Sequence, residues 1–206
     1  MAVAATVNDA GWVYDASRLN GDSIVYSLGV GDTIDFDLAL IERSGASVYA
    51  FDPTPDAETT LDASNPPPGF RFRAWAAAGE DGELTLYPRV KSNGSISSTM
   101  FTLQADERTV DLGRTVPAYT VAGMAKQLGH DRVDLLKMDI EGAEYAVVES
   151  LLCSALRPPQ VLIEFHHRHK GIGKQRTIAA IQAMQAAGYA IFYVSPNVRE
   201  FSFLKI

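Results

Sequence analysis

LLKMDIEGAEYAVVESLL, residues 135–152, contains both halves of one βα unit. Val133, Leu135, Leu136 and Met138 make an apolar run that stops at Asp139, and Ala143, Val147, Val148, Leu151 and Leu152 then recur at helical spacing. A buried strand therefore hands over to an amphipathic helix. In an open α/β sheet such a crossing lies at the carboxyl edge, where ligands bind. Asp139, Glu141 and Glu144 crowd into this turn. Acids at a helix start suit its free N–H groups and positive dipole end, so Glu141 and Glu144 read first as caps. Asp139 precedes the helix and needs no such role, which makes it a candidate to face a ligand.

The same alternation of strand and helix extends in both directions. Upstream, residues 23–28 (SIVYSL) form a β-rich run closed by Gly29-Val30-Gly31-Asp32, and Ile34, Phe36, Leu38 and Ile41 follow as a helix that Gly45 ends. Residues 47–51 (SVYAF) are a second strand ending in Asp52-Pro53-Thr54-Pro55. Asp52 falls about 20 residues after the glycine turn, the spacing of an acid that bonds ribose hydroxyls. Residues 70–75 are expected as a third strand and 83–87 as an edge or hairpin strand. The polar, serine-rich stretch 88–116 is expected as a long functional loop, with Ser97 and Ser98 covering a substrate.

Downstream, residues 120–128 suit a short helix before the opening strand. Residues 160–165 (QVLIEF) form another buried strand, running into Glu164-Phe165-His166-His167-Arg168-His169-Lys170. A helix over 174–187 and two β-rich runs, 189–194 and 200–205, close the chain as an antiparallel hairpin. Residues 1–22 are expected to be an N-terminal flap or extension to one domain over 23–206. The fold class is α/β, with the functional turns gathered on one sheet edge: Gly29 and Gly31, Asp52, Asp139, and Glu164 with His166.

Composition narrows the partners. The net charge of −7 opposes general attraction to nucleic acid or anionic membrane. No apolar run approaches the roughly 18 residues of a membrane span, and the opening residues lack the basic region of a signal peptide. A single cysteine, Cys153, makes an intrachain disulfide impossible, so a cytoplasmic setting is expected. The oligomeric state is not legible.

SLGVGDTIDFDLAL, AFDPTP, AWAAAGEDGELTLY, VDLLKMDIEGAEYAVVESLL and QVLIEFHHR together resemble the FkbM-type S-adenosylmethionine-dependent methyltransferases, a branch of the class I Rossmann-like superfamily. The resemblance spans residues 23–195 and is most specific at KMDIEGAE. It implies a seven-stranded, mostly parallel sheet ending in a reversed hairpin, with helices on both faces. It further implies S-adenosylmethionine as cofactor and a hydroxyl on a small metabolite, sugar or polyketide-like molecule as acceptor.

Carried onto this sequence, Gly29 and Gly31 let the backbone approach the amino-acid end of the cofactor, Asp52 holds the ribose hydroxyls, and Ala77 and Ala78 line the adenine; Ser27 and Asp139 are further cofactor-binding candidates by their places in the turns, and Glu141 points toward cofactor or substrate. The chain departs from the wider class at Ser27, where an acid is common, and at Thr33, where a third glycine is common. His166, beside Glu164 and Asp139, is the leading base, since histidine titrates near neutrality, and His167 is a candidate for substrate. The set Asp139, Glu164 and His166 reads alternatively as ligands for a divalent metal. A nicotinamide-dependent oxidoreductase and a non-catalytic interaction module are the competing functions.

Overall fold

The computed structural model describes residues 5–91, 93–102, 105–169 and 171–206. A hairpin comes first, β1 (Thr6–Asp9) and β2 (Trp12–Asp15), followed by β3 (Ile24–Leu28), α1 (Asp35–Ser44), β4 (Ser47–Phe51), α2 (Pro55–Ser64) and β5 (Phe70–Arg73). Next come β6 (Ala76–Ala77), β7 (Gly82–Val90), β8 (Ile96–Thr102), β9 (Arg114–Tyr119), α3 (Val121–Leu128) and β10 (Leu135–Met138). The chain ends with α4 (Glu144–Cys153), β11 (Gln160–Glu164), α5 (Lys174–Ala186), β12 (Tyr189–Val194) and β13 (Glu200–Lys205).

Seven strands pair in the order β12-β13-β11-β10-β3-β4-β5. The sheet is mixed: β5, β4, β3, β10 and β11 run parallel, and β13 is antiparallel to both its neighbours. Side chains alternate between two cores, as a pleated strand requires. Tyr26, Leu28, Leu136, Met138, Val161 and Ile163 face a core shared with α3, α4 and α5. Val25, Leu135, Leu162, Val48 and Ala50 face the other, shared with α1 and α2.

The β1–β2 hairpin belongs to this second face. Tyr14 is fully buried and meets Phe36 edge-on at 5.8 Å. Gln160 accepts from the Asp15 N–H at 2.8 Å and donates to the Asp15 carbonyl at 3.1 Å, and Ser202 Oγ donates to the Val13 carbonyl at 2.6 Å.

The stretch 88–116 departs from the expected loop. β7 runs on through Pro88, turns near Asn93-Gly94, returns as β8 and pairs along its other edge with β9, giving a four-stranded sheet in the order β6-β9-β7-β8. Its serines and threonines fit a pleated surface as well as a loop, and Asn-Gly is a hairpin signal. Polarity alone hid the strands. The helix α2 was masked in a different way: Pro55 reads as a breaker but occupies the first helical turn, where its missing N–H costs nothing.

Candidate active site

Above the carboxyl ends of β3, β4 and β10 lies a cleft of about 860 Å³. Its wall takes in the turn from Gly29 to Thr33, then Asp52, Ala77, Asp139 and Glu141, with the small sheet closing one side through Arg89, Val90 and Phe101.

Gly29 sits at φ +85°, and a Cβ there would fall 1.8 Å from the Asp139 carbonyl oxygen. The first and fourth βα turns thus pack backbone against backbone. Gly29 N–H donates to the Phe51 carbonyl at 2.9 Å, while its own carbonyl accepts from Lys137 Nζ at 2.6 Å. The buried Asp52 carboxylate braces the same turn: Oδ2 accepts from the Val30 and Gly31 N–H groups at 2.9 and 3.0 Å. Its Oδ1 accepts from Thr54 N–H at 2.8 Å and Thr54 Oγ1 at 2.6 Å.

A second cluster lies behind Asp139. That side chain is 37% exposed, and its Oδ1 stands 3.6 Å from Nε2 of His166, a residue only 3% exposed and off the cleft wall. On the imidazole's far side Nδ1 is 3.4 Å from Oε1 of Glu144, which is fully buried. Glu144 also accepts from the His166 N–H at 2.7 Å and the Gly142 N–H at 2.8 Å. Instead of capping its helix, it ties the β10–α4 turn to the end of β11. Sequence reading missed this because an acid at a helix start already has a sufficient explanation.

Burial pushes the His166 pKa down, but the carboxylates of Glu144, Glu141 and Asp139 more than offset it, and the net shift is upward. Glu164, off the cleft wall and 3.9 Å from His166 Nε2, is ion-paired with Arg199. Burial, with Asp139 adding to it, holds Glu164 up at about 7 against the pull of His166 and Arg199. The possible donor atoms of Asp139, Glu164 and His166 lie within 4.8 Å of one another. Glu164 is already neutralised by Arg199, so this donor set is a poor fit to a cation.

Glu141 is on the wall at φ +52°, paired with Arg89 at 3.2 Å and 3.6 Å from His169. Arg89 and His169 were not anticipated, and only the fold brings the small sheet beside the β11–α5 connection. Ala77 is buried and on the wall, whereas Ala78 is buried off it. Ser27 is fully buried beneath the glycine turn, off the wall. Ser97 is buried off the wall as well, and the side chain of Ser98 lies outside the described residues. His167 is also off the wall, its pKa lowered by burial and by the cations of Arg168, Lys174 and Arg199.

A mixed seven-stranded sheet in this order, reversed at β13, with a cleft over a glycine turn and an acid ending the next strand, defines a class I methyltransferase fold. Solved structures agree on the fold. The Methanococcus jannaschii fibrillarin pre-rRNA processing protein superposes with a TM-score of 0.52 at 14% identity, covering 90% of this chain and 67% of its own. An rRNA methylase from Streptococcus thermophilus gives 0.50 at 12% identity, covering 93% and 91%.

No curated protein sequence matches the chain. The family model described as the methyltransferase FkbM domain matches residues 20–191. The chain belongs to that family, the FkbM-type S-adenosylmethionine-dependent methyltransferases.

Proposed function

We propose that the protein transfers the methyl group of S-adenosylmethionine to a hydroxyl of a small metabolite, sugar or polyketide-like molecule. The observation that carries this reading is the Asp139–His166–Glu144 array, which reaches the cleft wall at Asp139, beside the turn at Gly29 that packs backbone against backbone on it. The residues fit the cofactor: Gly29 and Gly31 give backbone access, Asp52 would hold the ribose hydroxyls, and Ala77 offers a small apolar surface to the adenine. When bound, S-adenosylmethionine supplies a methyl group on a sulfonium, open to in-line displacement.

The chain's own contribution is alignment and proton removal. Holding an acceptor in line inside a walled cleft can supply about 7–11 kcal/mol of the acceleration. Asp139 meets the acceptor hydroxyl, and His166, held by Glu144, receives the proton behind it. Glu141 with Arg89 and His169 borders the acceptor's side. Small acceptors are favoured over nucleic acid by the net charge of −7 and by Asp32, Asp52, Asp106, Asp139 and Glu141 on the wall, which repel a polyanion. Among the described residues no helix is long and apolar enough to cross a membrane. The cytoplasmic setting rests on the single cysteine.

Incubation with methyl-tritiated S-adenosylmethionine and a fractionated metabolite extract tests the proposal. Label should enter a small product as a methyl ether. Label found only in RNA or protein would refute the acceptor class.

Asp52→Ala is expected to weaken S-adenosylhomocysteine binding by a factor of about 10–100. It removes a charged acceptor from two backbone donors of the cofactor turn, each such bond being worth about 1.5–3 kcal/mol. Isothermal titration calorimetry reads this directly, and an unchanged affinity would detach Asp52 from the cofactor.

A further inference from the structure

Three polar side chains on the α1 face of the sheet are unused by the array at Asp139. Ser27 on β3 and Lys137 on β10 are paired in register, and both point to the side where α1 and the β1–β2 hairpin pack. Asp37 comes down from α1 and is 2% exposed, yet it forms part of the cleft wall, and among the described residues its Oδ1 has no hydrogen-bond partner. Lys137 is 7% exposed and is also on the wall. Its Nζ donates to the Gly29 carbonyl at 2.6 Å and lies 5.1 Å from the centre of the Trp12 ring. Among the described residues that carbonyl is the one hydrogen-bond acceptor it meets, so two of its three N–H donors remain for a ligand.

A buried carboxylate oxygen without a donor is costly to keep. Burial raises the Asp37 pKa to about 6, although Lys137 and Ser27 pull the other way. Asp37 and Lys137 are not in ion-pair contact, so each faces the cleft beside the glycine turn with unused bonding capacity. A phosphate there would be repelled by Asp37, and a simple cation by Lys137. A neutral group would leave both charges unanswered. A zwitterion with ammonium and carboxylate on one carbon answers both.

We propose that Asp37 and Lys137 seat the α-amino-acid end of the cofactor, Asp37 taking the ammonium and Lys137 the carboxylate. The inference rests on the cofactor reading above and goes beyond it by assigning two residues, one on a helix and one on a central strand. The N-terminal hairpin gains a role as well, since Trp12 covers Lys137 and helps close this end of the cleft.

Calorimetric titration with two probes tests it: S-adenosylhomocysteine, and 5′-methylthioadenosine, which keeps the nucleoside thioether but lacks the amino-acid end. The native chain should bind S-adenosylhomocysteine more tightly. Asp37→Asn should weaken that binding about 10–100-fold, the range expected for a lost charged hydrogen bond. Methylthioadenosine affinity should stay within about twofold. Lys137→Met should show the same selective loss.

Thermal melting of the ligand-free Asp37→Asn chain should give a midpoint at or above the native one, because a buried charge has been removed, so its weaker binding is not unfolding. Equal losses for both probes, or no loss for S-adenosylhomocysteine, would overturn the proposal. So would a native chain that binds the two probes alike, although cofactor binding would then stand. A native chain that binds neither would sink the cofactor reading and this assignment together.

Discussion

A Gly29→Ala chain should lose measurable S-adenosylhomocysteine binding and melt roughly 10 °C or more below the native protein. Two costs combine. The φ of +85° disfavours any L side chain by about 1–2 kcal/mol. The added methyl would also stand 1.8 Å from the Asp139 carbonyl oxygen, so the two turns must separate, at a cost of about 1–3 kcal/mol or more. For a chain of this size each kcal/mol moves the melting midpoint by about 2–4 °C.

Gly31→Ala is the control. Its φ of +63° carries the conformational cost, but among the described residues no atom beyond its chain neighbours lies within 4 Å of the added Cβ, so only a small loss of stability is expected. Scanning calorimetry on both variants separates contact from conformation. Equal behaviour would show that the backbone contact between the turns does not matter.

His166→Ala should lower kcat by about 10²–10⁴-fold, the usual contribution of a positioned proton acceptor, while S-adenosylhomocysteine affinity changes by less than about twofold. The fold should tolerate it, because the buried Glu144 keeps both backbone donors, Gly142 N–H and the main-chain N–H of residue 166. The pH profile gives a second readout. The pKa of His166 is raised above its ordinary 6.5, so the neutral, proton-accepting form is reached only at higher pH. Native kcat should therefore climb through a limb above 6.5, and that limb should vanish from the variant. Full activity in His166→Ala, or a loss of cofactor affinity, would remove the residue from proton transfer.

The large sheet could be read from the sequence because period-two apolar runs alternate with helical ones, and because Gly45 and Gly188 stop their helices where the pattern ends. The bounds of β4, β12 and β13 follow directly from such runs. The small sheet could not be read this way: its strands cover a modest core of Ala76, Ala78, Val116 and Ala118, and leave a polar sequence.

In the site, Gly29, Asp52 and Asp139 stood out because strand ends and turn glycines mark the ligand edge. Glu144 and Asp37 did not. Both are carboxylates on helices, where acids are ordinary, and burial is a property of the fold rather than of the residue. Lys137 gave a partial signal as a charge within an apolar strand, but its partners Gly29 and Trp12 come from distant parts of the chain.

Isothermal titration of the native chain with S-adenosylhomocysteine, run beside an identical titration with NAD, tests the central claim most directly. One-to-one binding of S-adenosylhomocysteine with no heat from NAD is the predicted result. Binding of NAD, or of neither molecule, would contradict it.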